Sequence, residues 1–152
     1  MTYCIDTSAL IAAWSERYPI KRIPPFWMKM DELVQAGRMV APEEVRREVQ
    51  KKADGLYTWI NERKAMFIDL EEPIQQRAKN LLRDFPWLLK NVPGKSPADP
   101  FVIALAQERG LTVITEEGRG GERKPQIPFV CESKGVKCID LLGLLEAEDW
   151  VL

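Results

Sequence analysis

Acidic residues at widely separated positions are the side chains of this sequence best suited to chemistry. Each follows a predicted strand or lies on a helix that joins two strands. They are Asp6, Glu48, Asp99, Glu116 and Glu117. Hard divalent cations such as Mg²⁺ prefer oxygen ligands, and carboxylates held close together without Lys or Arg attract a cation because they repel one another. These residue types therefore predict a site for Mg²⁺, or for Mn²⁺.

The sequence contains no histidine. This excludes Ser-His-Asp and Cys-His triads, histidine general bases and zinc sites built on histidine. The three cysteines, Cys4, Cys131 and Cys138, lack the paired spacing of a disulfide framework, which fits a reducing compartment. Any catalysis must therefore use carboxylates, lysines, hydroxyl groups or a bound metal.

The bulk composition predicts one globular domain over residues 1–152, since 45% of the residues are hydrophobic and 30% are charged. The formal net charge is only -1, so a binding site for a polyanion must be a local patch. No apolar run approaches the roughly 20 residues of a membrane span, and no secretory signal is visible. We expect a cytoplasmic protein that does not enter a membrane.

Apolar runs of strand length alternate with segments of helical spacing along the chain. Strands are predicted at residues 2–5, 38–41, 66–70, 111–115 and 136–139. Helices are predicted from Ala9, over 26–35, from Pro42, over 56–63, over 73–89 with a break at Pro86, at Asp99–Arg109 and over 141–146. Thr7 or Ser8 is expected to cap the first helix. Segments 91–97 and 116–128 are predicted to be loops.

This alternation predicts an α/β fold with a parallel sheet of about five strands and helices on both faces. In such a sheet the ligand binds beyond the carboxyl ends of the strands, where the strand order reverses. Asp6 follows the first strand, Asp99 begins the helix that leads to the fourth, and Glu116 and Glu117 follow the fourth. We therefore expect these acids to converge at one edge of the sheet.

Two segments in the first third of the chain resemble motifs of the PIN-domain family. The segment from Tyr3 to Ser8 reads Tyr-Cys-Ile-Asp-Thr-Ser and resembles the opening PIN strand, in which an Asp followed by a hydroxyl residue supplies the first metal ligand. The segment from Ala41 to Glu48 reads Ala-Pro-Glu-Glu-Val-Arg-Arg-Glu. It is similar to the Pro-x-x-Val-x-x-Glu helix of that family, whose Glu is the second ligand. Glu44, one helical turn earlier, is an alternative.

The two remaining PIN motifs occur later in the chain, in the family's order. The segment from Ala98 to Ala106, Ala-Asp-Pro-Phe-Val-Ile-Ala-Leu-Ala, resembles the third motif, in which an Asp opens a helix of small and apolar residues. The segment from Val113 to Glu117, Val-Ile-Thr-Glu-Glu, resembles the fourth, which ends in an acid. That acid is usually Asp in the family, whereas Glu117 stands here, with Glu116 as the alternative.

The resemblance implies a PIN-like α/β/α sandwich that hydrolyses RNA with the help of Mg²⁺ or Mn²⁺, as VapC-like toxins of toxin–antitoxin pairs do. Asp6 and Asp99 have short side chains and are expected to bind the metal directly. Glu48 and Glu117 are expected to act through water or to orient the nucleophile. The hydroxyl groups expected to hydrogen-bond these carboxylates are those of Thr7, Ser8 and Thr115.

The partners expected by this resemblance are an RNA substrate, a small antitoxin protein and a second copy of the chain. Residues 26–34 and 87–89 are candidates for the dimer surface. An alternative to the ribonuclease is a PIN-like module that binds RNA or protein and has lost catalysis. Basic side chains near the acids are candidates for RNA phosphates. They are Arg46, Arg47, Lys51, Lys52, Arg119, Arg123 and Lys124.

Overall fold

Five short parallel strands form the centre of the fold in the computed structural model, which describes residues 1–89, 97–121 and 126–152. The strands are β1 (Tyr3–Ile5), β2 (Met39–Pro42), β3 (Phe67–Ile68), β4 (Thr112–Ile114) and β5 (Cys138–Ile139). Their spatial order is β3-β2-β1-β4-β5. Strands β1, β2 and β4 are buried along their whole length, which explains their apolar composition, since helices cover both faces of a parallel sheet.

Eight α-helices connect and cover the strands within the described part of the chain. They are α1 (Thr7–Ala12), α2 (Pro24–Gln35), α3 (Glu43–Lys52), α4 (Asp54–Asn61), α5 (Glu72–Asp84), α6 (Asp99–Arg109), α7 (Ile127–Lys134) and α8 (Leu141–Glu148). A π-helical turn at Ala13–Arg17 continues α1, and short 3-10 turns occupy Lys64–Met66 and Pro86–Leu89.

The helices form two layers, one on each face of the sheet. The connections from β1 to β2 and from β2 to β3 run across the sheet in one direction, whereas those from β3 to β4 and from β4 to β5 run in the other. Because right-handed crossovers are strongly favoured, helices α1–α4 cover one face and helices α5–α7 cover the opposite face. The contacts agree, since α1 and α4 pack against α3, and α5 and α7 pack against α6.

The strand order reverses between β1 and β4, so this is the switch point of the sheet. Ile5 is paired with Ile114, and the backbone N–H of Asp6 donates to the carbonyl of Ile114 at 3.0 Å. The residues that follow β1 and β4 are therefore neighbours. This is the edge at which parallel α/β sheets bind their ligands.

The predicted fold class, an α/β/α sandwich with a five-stranded parallel sheet, is confirmed. The two edge strands are shorter than predicted, with two residues each in β3 and β5. Helix α7 was not predicted, and the loop expected over 116–128 overlaps its first two residues, Ile127 and Pro128. Residues 91–96 of the other predicted loop lie outside the described residues.

The apolar face of α2 belongs to the core. Phe26, Trp27 and Met30 are at most 2% exposed. The prediction that residues 26–34 form a dimer surface is therefore wrong for these side chains, because they pack inside the monomer. Trp87, from the second candidate segment, is 42% exposed. Within the described ranges, no helix combines the length and the apolar character that crossing a membrane requires.

Candidate functional site

Three of the predicted acids meet beyond the carboxyl ends of β1 and β4. One carboxylate oxygen from each of Asp6, Asp99 and Glu117 lies within 4.8 Å of the other two. Asp6 directly follows β1, Asp99 is the first residue of α6, and Glu117 follows β4 after two intervening residues. Asp6 and Asp99 are each only 1% exposed, whereas Glu117 is partly exposed. These three side chains, called the acidic cluster below, concentrate negative charge at the switch point.

The Asp6 carboxylate is held in place by hydrogen bonds from three groups. Its Oδ1 accepts from the backbone N–H of Ala9 at 2.8 Å, so Asp6 is the N-cap of α1. The predicted cap, Thr7 or Ser8, is wrong because Asp6 is the last residue with extended backbone before the helix. The hydroxyl of Ser8 lies 2.9 Å from each Asp6 oxygen, and the hydroxyl of Thr115 donates to Oδ2. These contacts fix the orientation of the carboxylate.

Burial raises the pKa of Asp6 to about 7. The hydrogen bonds from Thr115, Ala9 and Ser8 act in the opposite direction, and the nearby charge of Glu117 raises the pKa further. In the absence of a cation, the Asp6 carboxyl therefore binds a proton near neutral pH. A cation in the cluster would compete with that proton.

Glu117 and Glu116 point to different parts of the molecule. Glu117 Oε2 accepts from the backbone N–H of Ile127 at 2.9 Å, and its own N–H donates to the Thr115 hydroxyl at 3.1 Å. Glu116 instead accepts from the N–H of Leu141 at 3.2 Å and lies 3.6 Å from the Arg17 guanidinium. Of the two neighbouring acids, Glu117 is thus the one that joins Asp6 and Asp99.

Glu48, the second predicted ligand, is not one of the three residues of the acidic cluster, and its carboxylate is held by Thr7. It is 8% exposed, and its Oε1 accepts from the hydroxyl of Thr7 at 2.6 Å. Since Thr7 directly follows Asp6, this bond ties α3 to the start of α1. Glu44 is oriented toward Arg47, 3.8 Å away, and burial raises its pKa. Glu44 and Glu48 both line a small cavity of about 160 Å³.

The basic residues predicted to bind RNA differ in their exposure and in whether they already pair with an acidic side chain. Arg46 donates to Glu43 at 2.6 Å and to the Tyr57 hydroxyl at 3.1 Å, so it links α3 to α4. Arg119 pairs with Glu132 at 3.0 Å while 62% of its side chain stays exposed. Arg47, Lys51 and Lys52 are exposed on α3, and Arg123 and Lys124 lie outside the described residues.

Sequence reasoning missed two contacts at the site. The bond from the Ile127 N–H to Glu117 was missed because α7 itself was not predicted. The approach of Arg17 to Glu116 depends on the π-helical turn at Ala13–Arg17, for which the sequence offers no recognised signal. The expected hydroxyl contacts of Thr7, Ser8 and Thr115, in contrast, are all present.

The acidic cluster is suited to a hard divalent cation. It offers one oxygen from each of three carboxylates, and among the described residues no ion pair joins Asp6 or Glu117 to Lys or Arg. Opposite ligands of Mg²⁺ are about 4.2 Å apart at a metal–oxygen distance of about 2.1 Å. Adjacent ligands are about 3.0 Å apart, and at most one pair among three ligands can be opposite. Side-chain rotations would therefore have to shorten the observed spacing of up to 4.8 Å when a cation binds.

The fold defines a class of protein, the α/β/α sandwiches of PIN-like fold. The crystal structure of VapBC2 from Rickettsia felis bound to a promoter DNA fragment supports this class, with a TM-score of 0.56 at 12% identity, covering 92% of this chain and 98% of that one. The crystal structure of PAE2754 from Pyrobaculum aerophilum gives a TM-score of 0.49 at 16% identity, with 97% and 96% covered.

Residues 3–152 match the family described as "Domain of unknown function (DUF4411)", and the chain belongs to that family. Comparison with curated proteins gave no match. The likeness to VapBC2 is one of fold, since only 12% of the aligned residues are identical.

Proposed function

We propose that this chain is a metal-dependent endoribonuclease that hydrolyses RNA phosphodiester bonds, and that it is the toxin of a toxin–antitoxin pair. The observation that carries the proposal is the acidic cluster, in which Asp6, Asp99 and Glu117 lie within 4.8 Å of one another at the switch point. A divalent cation held by such carboxylates could assist the hydrolysis of a phosphodiester.

In this proposal Asp6, Asp99 and Glu117 bind Mg²⁺ or Mn²⁺. When bound, the cation neutralises charge on the scissile phosphate and lowers the pKa of water. Ser8 and Thr115 keep the Asp6 carboxylate oriented through their hydroxyl groups. The N–H of Ile127 does the same for Glu117.

Glu48 has a supporting role in the proposed reaction. The Thr7 hydroxyl donates to the Glu48 carboxylate at 2.6 Å. Because Thr7 directly follows Asp6, this contact holds Glu48 near the start of α1. We assign it the orientation of the attacking water. Hydrolysis by such a water leaves a 5′-phosphate and needs no histidine, in agreement with the composition.

Exposed cations on two sides of the cluster are proposed to bind the phosphates of RNA. Arg47, Lys51 and Lys52 lie on α3, which also carries Glu48. Arg119 lies two residues after Glu117 on the other side. Contacts of Arg and Lys with phosphates position a nucleic acid without reading its sequence.

The proposed partners follow from the same fold. The similar structure is that of VapBC2 bound to a DNA fragment from its promoter. We propose that this chain pairs with a small antitoxin protein. A second copy of the chain is a further proposed partner, with the exposed Trp87 at the contact. Expression of the chain alone should slow growth, and co-expression of the antitoxin should relieve the effect.

The test is cleavage of end-labelled RNA by the wild type and by an Asp6→Asn/Asp99→Asn double variant, with Mg²⁺, Mn²⁺ or EDTA. Asn keeps the shape of each side chain and removes its charge. We expect metal-dependent fragments with 5′-phosphates from the wild type, and at least about a hundredfold lower rate from the variant. Asp149→Asn, an exposed residue outside the cluster, is the matched control.

Folded wild type that cuts none of several RNAs with either metal would contradict the proposal. That outcome would favour the alternative of a PIN-like binding module. Glu117 supports this alternative, because PIN domains usually have Asp at this position. Circular dichroism of each variant establishes that it is folded before its activity is compared.

A further inference from the structure

A cavity of about 420 Å³ opens directly beside the acidic cluster. Glu117 belongs to both the cluster and the cavity wall. Pro128 and Ile139 supply apolar surface, and Asp140 and Arg119 supply charged groups. The volume lies within the range of about 300–1,000 Å³ that is typical of small-molecule pockets. A group bound in this cavity would therefore lie next to the site proposed for phosphodiester hydrolysis.

The charges on the cavity wall disfavour a phosphate group inside it. Glu117 and Asp140 are acidic, and among the described residues of the wall Arg119 is the one that is basic. Its side chain pairs with Glu132 at 3.0 Å and is 62% exposed, so the phosphate contact proposed for it lies at the rim and not inside the cavity. A neutral ring with hydrogen-bond donors suits this wall better. The apolar surface of Pro128 and Ile139 can contact the face of such a ring.

Asp140 has acceptor capacity left for a ligand. Its Oδ1 accepts from the N–H of Gly143 at 2.8 Å, and the residue is exposed where it lines the cavity. A carboxylate offers about four lone-pair positions on its two oxygens, so this bond leaves further positions for donors. An amino group matches these positions, whereas a carbonyl oxygen is repelled by them.

We propose that this cavity binds the base of a nucleotide adjoining the scissile phosphate, and that Asp140 makes it prefer adenine, cytosine or guanine to uracil. The preferred bases carry an exocyclic amino group that donates to the carboxylate, as cytosine does to Asp or Glu elsewhere. Uracil presents two carbonyl oxygens around one N–H. Proteins commonly recognise unpaired RNA bases through hydrogen bonds to their Watson–Crick edge, where these groups lie. The inference rests on the proposed function, which supplies the RNA substrate.

The first test is binding of AMP, CMP, GMP and UMP with Mg²⁺, followed through the amide NMR signals of Ile139 and Gly143. We expect the three amino-bearing nucleotides to shift these signals at concentrations about fivefold lower than UMP does. Asp140→Asn keeps an N-cap residue at the start of α8 but replaces the carboxylate, so the preference should fall to within about twofold. Asp149→Asn, at the other end of α8, should leave the preference intact.

The second test is sequencing of the fragment ends after cleavage of a random RNA pool. We expect the wild type to deplete uracil about fivefold at one position beside the cut, and Asp140→Asn to remove that depletion. Amide signals that respond equally to UMP and the other nucleotides, or to none, would overturn the inference. Cleavage with no base depleted beside the cut would overturn it too and leave the proposed function standing. Amino-dependent shifts in a protein that cuts no RNA would support the cavity assignment and contradict the proposed function.

Discussion

Asp6 shows how one carboxylate serves the fold and the candidate site together. It caps α1 through the N–H of Ala9, and it also lies within 4.8 Å of Asp99 and Glu117. Burial raises the pKa of Asp6 to about 7, because a buried carboxylate is unfavourable unless a cation is near. A cation bound in the acidic cluster would therefore displace a proton from Asp6.

Metal affinity should fall as the pH is lowered through about 7. The pKa of Asp6 is raised to about 7 by burial, so below this pH the metal-free protein carries a proton that must leave when the metal binds. We expect Mn²⁺ affinity, measured by titration calorimetry, to weaken about tenfold per pH unit below 7 and to level off above it. Equal affinity at about pH 5.5 and pH 7.5 would contradict this pKa assignment.

Thr7→Val should destabilise the fold through Glu48. The change removes the hydroxyl that donates to Glu48 Oε1 at 2.6 Å in a buried place. We expect a loss of about 1–3 kcal/mol in the free energy of unfolding, measured with urea. A double-mutant cycle with Glu48→Met, which removes both acceptor oxygens, is the control, because the cost of Thr7→Val should be smaller when the acceptor is absent. Equal costs in both backgrounds would show that the bond contributes nothing.

Sequence motifs predicted Asp6 and Asp99, which are members of the acidic cluster, whereas Glu48, predicted from a motif of the same kind, lies outside it. Asp6 and Asp99 each adjoin an element boundary that apolar residues and proline define, and both are in the cluster. The choice between Glu116 and Glu117 follows from the direction of two neighbouring side chains. That direction depends on the N–H groups of Leu141 and Ile127, which no local pattern reveals.

At the scale of elements, helix α6 matches its predicted bounds of Asp99–Arg109. Pro100 stands in its first turn, where proline is tolerated. Gly110 follows its last residue with φ of 67°, the left-handed conformation that ends many helices. Helix α7 was missed because its first two residues were assigned to a loop rich in Gly, Arg and Lys, although Gly135 supplies the same end signal at φ of 69°.

Gly110→Ala should lower stability without changing the acidic cluster. No atom lies within 4 Å of a Cβ added there, so the cost comes from the backbone conformation alone. We expect a loss of about 1 kcal/mol in the free energy of unfolding, with Mn²⁺ affinity unchanged because Asp99 lies at the opposite end of α6.

Gly118→Ala is the matched control for this change, since its Cβ would also meet open space and its φ is not in the left-handed region. It should leave the free energy of unfolding within about 0.5 kcal/mol of the wild type. Equal losses for the two variants would show that backbone conformation at Gly110 is not the cause.

At the scale of the whole molecule, the order β3-β2-β1-β4-β5 is what brings Asp6 and Glu117 together. Alternating strands and helices in the sequence predict a parallel sheet, but apolar periodicity does not state which strands are neighbours. The position of Glu48 also depends on how α3 packs against α1. These long-range arrangements follow from packing and crossover handedness, and they required the structure.

We propose that the acidic cluster is a metal centre, and a crystal grown with Mn²⁺ tests this most directly. We expect an anomalous difference peak among the carboxylates of Asp6, Asp99 and Glu117, and no such peak in crystals of Asp6→Asn/Asp99→Asn. A well-ordered wild-type crystal with Mn²⁺ bound elsewhere, or with no peak at the cluster, would contradict the account.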